Sequence, residues 1–162
     1  MKKASLVKIL VVAFVASILC TASACDNGPL QYEGYPISAI GSIRWEEGSS
    51  NIYLDITVTN NTNKTIKRID GGFSEYVIYG NEIEYMKTAS GTMSIPDSIQ
   101  NKQVIKAHSS QTYHIDIGTV SYGEVYKGAH RHWYVHSIVF DNYDTLNLTG
   151  LLDFAFEGNR QH

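Results

Sequence analysis

Asn51 to Asn60 (NIYLDITVTN) alternates without a fault: Ile52, Leu54, Ile56 and Val58 on one side, Tyr53, Asp55, Thr57 and Thr59 on the other. Successive side chains of a strand point to opposite faces, so this pattern predicts a strand with one face buried and one wet. The asparagine-rich stretch Asn60-Asn61-Thr62-Asn63-Lys64 reads as a turn, because asparagines tolerate left-handed backbone and cap their own peptide groups. Thr65 to Asp70 resumes the strand pattern, which predicts a hairpin, and Gly71-Gly72 is expected to end it.

Further strands follow at short spacing. Phe73 to Tyr79 is one, with a turn at Gly80-Asn81 and another apolar piece at Ile83 to Met86. Ala89 to Gln103 is less regular, a long connection or a weak edge strand. Gln111 to Val120 alternates with Tyr113, Ile115, Ile117 and Thr119 on one side. His132 to Phe140 alternates with Trp133, Val135, Ser137 and Val139 together. Asp141 to Asp144 reads as a turn, and Thr145 to Leu148 and Leu151 to Phe156 as two short closing strands. No convincing amphipathic helix interrupts them. Abundant Tyr and scarce Pro suit antiparallel sheets with one wet face. The expectation is an all-β chain folded as an antiparallel β-sandwich.

The N-terminus has a different character. Lys2, Lys3 and Lys8 precede an apolar run from Ile9 to Leu19, followed by the small residues Ala22 and Ala24. This is the three-part form of an export signal. The run is about 11 residues, whereas a bilayer core takes roughly 20, so a permanent span is not expected. Ala22-Ser23-Ala24-Cys25 resembles the lipobox of bacterial lipoproteins, in which a Leu, a small residue and Gly or Ala precede the acylated cysteine. Here Ala22 stands where the motif has Leu. Cys20 fits less well, since Leu19 before it is large. The resemblance implies cleavage between Ala24 and Cys25 and a diacylglyceryl thioether on Cys25. Ordinary secretion stays open, because the same alanines suit the general signal peptidase. In enteric bacteria an Asp after the cysteine, as Asp26 is here, resembles the signal that retains lipoproteins at the inner membrane.

Cysteine usage bears on the same point. Cys20 and Cys25 are the only cysteines, and Cys20 leaves with the signal. With Cys25 alone, no internal disulfide and no thiol catalysis are expected. Removal of the signal takes three of 13 basic residues and none of the 16 acidic ones, leaving 10 against 16, a balance of −6. An acidic chain without a Lys/Arg cluster argues against nucleic acid and against electrostatic docking on anionic lipid. The domains expected are a signal peptide over 1–24, a polar tether over 25–35 and a β-sandwich over 36–162.

The sandwich carries a second resemblance. Val58-Thr59-Asn60, Lys64-Thr65-Ile66 and Val77-Ile78-Tyr79-Gly80 are similar to the small immunoglobulin-like domains of bacterial lipoproteins, the FxLYD family. Tyr79-Gly80 lacks the Asp of that pattern, and His108-Ser109-Ser110 stands where such domains carry a Pro-Gly turn. The resemblance covers about a third of the chain and implies an immunoglobulin-like fold with no common activity to inherit.

Candidate chemistry centres on histidine. His130, His132 and His136 form H-x-H-x3-H, and on a strand even spacings share a face. Two imidazoles two residues apart can converge on zinc or copper, with His114 of another strand as a further ligand. The plainer reading is a set of exposed sheet-face histidines, since His130 sits in a Gly-Ala-His-Arg turn and no cysteine or carboxylate pair reinforces the set. Glu46-Glu47 and the pair Asp141 and Asp144 read as turn residues. No nucleophile elbow, P-loop or dinucleotide fingerprint occurs. Trp45, Trp133, Tyr134, Tyr122, Tyr126 and Tyr143 line either a binding face or the core. Three Asn-x-Thr triplets match the glycosylation acceptor and read as turns in a bacterial chain.

The expected function is therefore a non-catalytic binding or interaction module, with no cofactor. It is lipid-anchored at a bacterial cell membrane, facing the periplasm or the exterior, with an envelope protein or surface polymer as partner. The alternative is a periplasmic metal-binding protein or metal-dependent hydrolase using the His-x-His strand.

Overall fold

Ile52, Leu54, Ile56 and Val58 are all buried to within 2% of complete, and the residues between them stay half-exposed. The alternation thus does in space what its period demands. The structure is a computed structural model describing residues 28–45, 51–79, 85–96, 103–119 and 126–159. The signal segment with Ala24 and Cys25 lies outside the described residues, as do Glu46, Glu47 and Tyr122.

Seven strands form two antiparallel sheets: β1 (Ile37–Trp45), β2 (Asn51–Asn60), β3 (Ile66–Tyr79), β4 (Tyr85–Ile95), β5 (Ser110–Thr119), β6 (Tyr126–Phe140) and β7 (Thr145–Asn159). One sheet has the order β1-β2-β5 and the other β4-β3-β6-β7. The chain changes sheet between β2 and β3, between β4 and β5, and between β5 and β6. The result is an all-β antiparallel sandwich of three strands on four. Among the described residues no helix is long and apolar enough to cross a membrane.

The core lies between the sheets. The β2 row meets Ile66, Ile69 and Val77 of β3, Trp133, Val135 and Ile138 of β6, and Phe156 of β7. Trp133 is fully buried, and its Nε1–H donates to the Met93 carbonyl at 3.2 Å. Its indole lies against Gly71, where an added Cβ would sit 2.7 Å from Nε1. Gly71-Gly72 therefore does not end a strand as expected. β3 runs through both glycines, because the missing side chain at Gly71 makes room for the indole.

The expected hairpin between β2 and β3 does not form either. β2 pairs with β1 and β5, and β3 with β4 and β6. The asparagine-rich segment is a crossing between sheets, closed by a buried clasp. Asn60 Nδ2–H groups donate to the carbonyls of Lys64, Ile105 and Lys106, and its Oδ1 accepts from the backbone N–H and hydroxyl of Thr62. Buried polar groups need such partners, and Asn60 at the end of β2 ties the crossing to the segment that leads into β5.

Three more elements differ from expectation. β1 carried no strand expectation. In β6 the extra residue His136 opposes neither neighbour, since Val135 pairs with Gly71 and Ser137 with Asp70. This bulge exchanges the faces beyond it, so Ile138 and Phe140 are buried instead of Ser137 and Val139. The two closing strands are one, β7, with an offset around Gly150, whose φ is +69°. Part of the expected tether is also pinned to the domain. The Gln31 N–H donates to Asn63 Oδ1, Asn63 Nδ2–H to the Pro29 carbonyl, and Asn61 Nδ2–H to the Tyr35 carbonyl.

Candidate functional site: the cleft between β4 and β5

A sandwich has two long sides where its sheets end, and here they differ. On one side β1 and β7 meet at backbone distance. A Cβ added to Gly158 of β7 would lie 2.7 Å from the Ile43 carbonyl carbon of β1, and one added to Gly41 of β1 would lie 3.1 Å from Phe156. On the other side β4 and β5 end their sheets without pairing to each other. Between them is a cleft of about 570 Å³.

Inward positions of four strands build its floor. Phe73 of β3, Met93 of β4, Tyr113, Ile115 and Ile117 of β5, and Arg131 of β6 all line it. Arg131 is a charged residue at a core position, on the same face as Trp133 and Val135. Its partner Glu75 stands directly opposite on β3. Both are within 5% of complete burial. Arg131 Nε–H donates to Glu75 Oε2 at 2.9 Å, and Nη2–H donates to the same oxygen. Nη1 reaches the Met93 thioether at 3.7 Å, and the guanidinium lies 4.1 Å above the Phe73 ring. The cation is thus held by an edge pair and an aromatic face, two interactions that strengthen away from water.

The rim is polar. Arg68 Nε–H donates to Asp70 Oδ2 at 2.9 Å, and the Ser94 hydroxyl donates to Asp70 Oδ1 at 2.7 Å. On the β5 side, Asp116 Oδ1 accepts the Gly118 N–H. At the deep end, the Tyr113 hydroxyl donates to the Gln103 carbonyl, and burial pushes its pKa up to about 12. His114 turns outward, with Nδ1 at 2.7 Å from Asp55 Oδ1, while Arg44 Nε–H donates to Asp55 Oδ2 at 3.0 Å. Burial alone would raise the Asp55 carboxyl, but these hydrogen bonds and the adjacent positive charge outweigh it and hold its pKa below 3.8.

The sequence-predicted histidines lie elsewhere, on the outer face of the four-stranded sheet. His130 is in mid-strand and not in a turn, since β6 begins at Tyr126. Its ring lies 5.0 Å from that of His132. Nδ1 of His130 is 3.2 Å from Glu157 Oε1, and Nδ1 of His132 is 3.1 Å from Asp153 Oδ1. The Tyr134 ring stacks beyond His132. His136 stands at the bulge beside Gly72. Among the described residues no group of three or more His, Cys, Asp or Glu side chains is placed to hold a metal ion.

The aromatic residues do not form one face. Trp133 is in the core, Tyr134 is on the histidine face, and Tyr143 is on the turn after β6 under the Lys67 ammonium. The residues that build the cleft were not singled out from sequence. The signal that finds them is parity: Arg131 shares the odd-numbered face of Trp133 and Val135, and Glu75 that of Phe73 and Val77. A charge on a buried row is an anomaly that needs a partner.

No family model matches the chain. No curated protein matches it either. Among solved structures it is similar to Northeast Structural Genomics Consortium target SoR45, at 10% identity and a TM-score of 0.41, over 82% of this chain and 88% of that one. It is also similar to the putative ApaA protein from Bordetella pertussis, at 8% identity and a TM-score of 0.39, over 79% and 92% of the respective chains. Neither likeness bears on function.

Proposed function

We propose that the protein is an exported, lipid-anchored binding module whose contact site is the β4–β5 cleft. The observation that carries the binding reading is the cleft itself. About 570 Å³ of space lies over Phe73, Met93 and Ile115, with a buried guanidinium set among them and a polar rim above. Binding sites are concave and mostly apolar, with a few placed polar groups that fix orientation. Both guanidinium groups of the cleft are engaged in ion pairs, Arg131 with Glu75 and Arg68 with Asp70. That arrangement orients a ligand and does not call for proton transfer, so the module is read as non-catalytic.

The anchor rests on the sequence from Lys2 to Cys25 and its resemblance to a lipobox. Two or three acyl chains on Cys25 hold stably, where one binds only reversibly. Hydrogen bonds from Asn61 and Asn63 hold Pro29, Gln31 and Tyr35 of the expected tether against the sandwich. The immunoglobulin-like lipoprotein resemblance supports the same reading, since Val58-Thr59-Asn60 and Lys64-Thr65-Ile66 flank the crossing that Asn60 closes.

Radioactive palmitate tests the anchor in a bacterial host. The full chain is expected to label and to sediment with membranes, and Cys25→Ala to do neither. A labelled Cys25→Ala variant overturns the anchor.

A further inference from the structure

Arg131 has more to donate than its neighbours accept. A guanidinium carries five N–H groups in a fixed plane. Glu75 Oε2 takes one from Nε and one from Nη2, which together form one edge of that plane. The Met93 sulfur, at 3.7 Å, is a weak acceptor for one N–H of Nη1. Two N–H groups of Arg131 therefore have no acceptor among the described residues, although the side chain is 95% buried. Buried donors without acceptors are costly. This one lines a cleft of about 570 Å³, within the range of ligand sites.

We infer that Arg131 is the receptor for a carboxylate, delivered into the β4–β5 cleft next to an apolar side chain. The inference rests on the reading of that cleft as a binding site and names what it takes. Three features select this chemistry. One N–H remains on Nη1 and one on Nη2, and a carboxylate is a strong, charge-assisted acceptor for guanidinium donors. Phe73, Met93 and Ile115 supply apolar surface beside it. Glu75 beside Arg131, and Asp70 and Asp116 on the rim, disfavour a dianion such as phosphate, because each adds a negative charge nearby.

One carboxylate chemistry has two sources here: the C-terminus of a peptide and a free organic acid. The outer edges of β4 and β5 have no sheet partner among the described residues, so they can hold a peptide backbone by strand addition. A free acid uses Arg131 and the apolar floor alone.

The test uses the full chain purified in detergent, with NMR of the Arg131 Nε–H group and the Met93 methyl group. The probes are acetyl-Ala-Ala-Leu with a free carboxylate, the same peptide amidated, and 4-methylpentanoate. The free-carboxylate peptide is expected to shift both signals and to bind about tenfold to a hundredfold more tightly than the amide. Equal binding of 4-methylpentanoate assigns the ligand to free acids, and binding of the peptide alone assigns it to chain ends. Amide and acid binding alike, with Met93 shifted, overturns the carboxylate receptor and leaves the cleft as a binding site. No binding of any probe at millimolar concentration overturns both. The paired variant Glu75→Met/Arg131→Met removes the cation and its counter-ion together, and is expected to lose the preference for acid over amide. If that variant keeps the preference, the proposal falls. If it fails to fold, the Arg131 signal of the unsubstituted chain decides.

Discussion

Along one side of the sandwich β1 and β7 touch backbone to backbone; along the other, β4 and β5 stand over a cleft with an ion pair in its floor. Both sides must end a sheet whose inner face is apolar. The closed side does so by removing side chains, at Gly41 and Gly158, until the two edges meet. The open side keeps large inward groups, Phe73, Met93 and Arg131, which line the cleft between the sheets. Close contact contributes stability through dispersion and water exclusion. A buried ion pair contributes little net stability, because desolvation offsets most of its attraction. The difference separates a side that holds the fold from a side free to bind.

The largest effect expected follows from splitting the ion pair. Arg131→Met leaves Glu75 buried without its cation, a loss of about 3–5 kcal/mol. The double variant Glu75→Met/Arg131→Met should recover nearly all of it, because it removes the two buried charges together. Urea unfolding of the three proteins checks this. A double variant as unstable as the single one would mean that the pair holds the open side together, and the contrast between the two sides would fail.

Glycine substitutions on the two sides sharpen the contrast. Gly158→Ala forces a methyl group into the β1 backbone at Ile43 and should cost roughly 1–3 kcal/mol. Gly91→Ala on β4 meets only the Phe73 ring, at 3.1 Å, and that ring borders the cleft and can give way. Its cost should stay below about 1 kcal/mol. Thermal melts of the two variants compare them directly, and equal losses would show that both sides are equally packed.

Alkaline pH tests the open side through Tyr113. Tyr113 has its pKa raised from 10.0 to about 12 by burial, so the folded state holds this proton more tightly than the unfolded state. Its contribution is complete below pH 10 and is lost as pH rises towards 12. At about 1.4 kcal/mol per unit, the loss is on the order of 2 kcal/mol at the end of that window. Tyr113→Phe should remove this part of the pH dependence, together with the hydrogen bond to Gln103. An unchanged alkaline slope would place the hydroxyl in contact with water.

Legibility in the sequence followed the alternation and failed where something interrupted it. β2 was readable because no residue breaks its period. β1 was not, because Ile40 points to solvent at 74% exposure and Gly41 leaves a gap in the inward row. The crossing after β2 reads as a hairpin because asparagine turns signal a reversal of the chain and say nothing of which sheet comes next. The β6 bulge hid the true inward residues Ile138 and Phe140, since one extra residue exchanges every face after it. The cleft was legible only in part. Parity places Arg131 and Glu75 inside, but their meeting depends on the β3–β6 register, which is set by a bulge at Asp70/Gly71. The histidines share a face as their spacing required, yet Tyr134 comes between His132 and His136, and carboxylates of β7 stand beside the first two.

The smallest effect links the two sides. Asp55 sits at the middle of the three-stranded sheet, with Arg44 of β1 on one flank and His114 of β5 on the other. It therefore ties the strand of the closed side to the strand of the open side across the wet face. Its folded pKa is depressed, so its contribution is present above 3.8 and is lost as pH falls through the lower folded value. The groups are partly exposed and screened by salt, which limits the effect of Asp55→Asn to about 0.2–1 kcal/mol at neutral pH. The expected signature is local. Amide exchange in β5 should accelerate more than in β1, because β1 retains its backbone contact with β7 while β5 has only β2 beside it. Equal acceleration in both strands would mean that the closed side gains no independent hold from the glycines, and that the two edges depend on Asp55 alike.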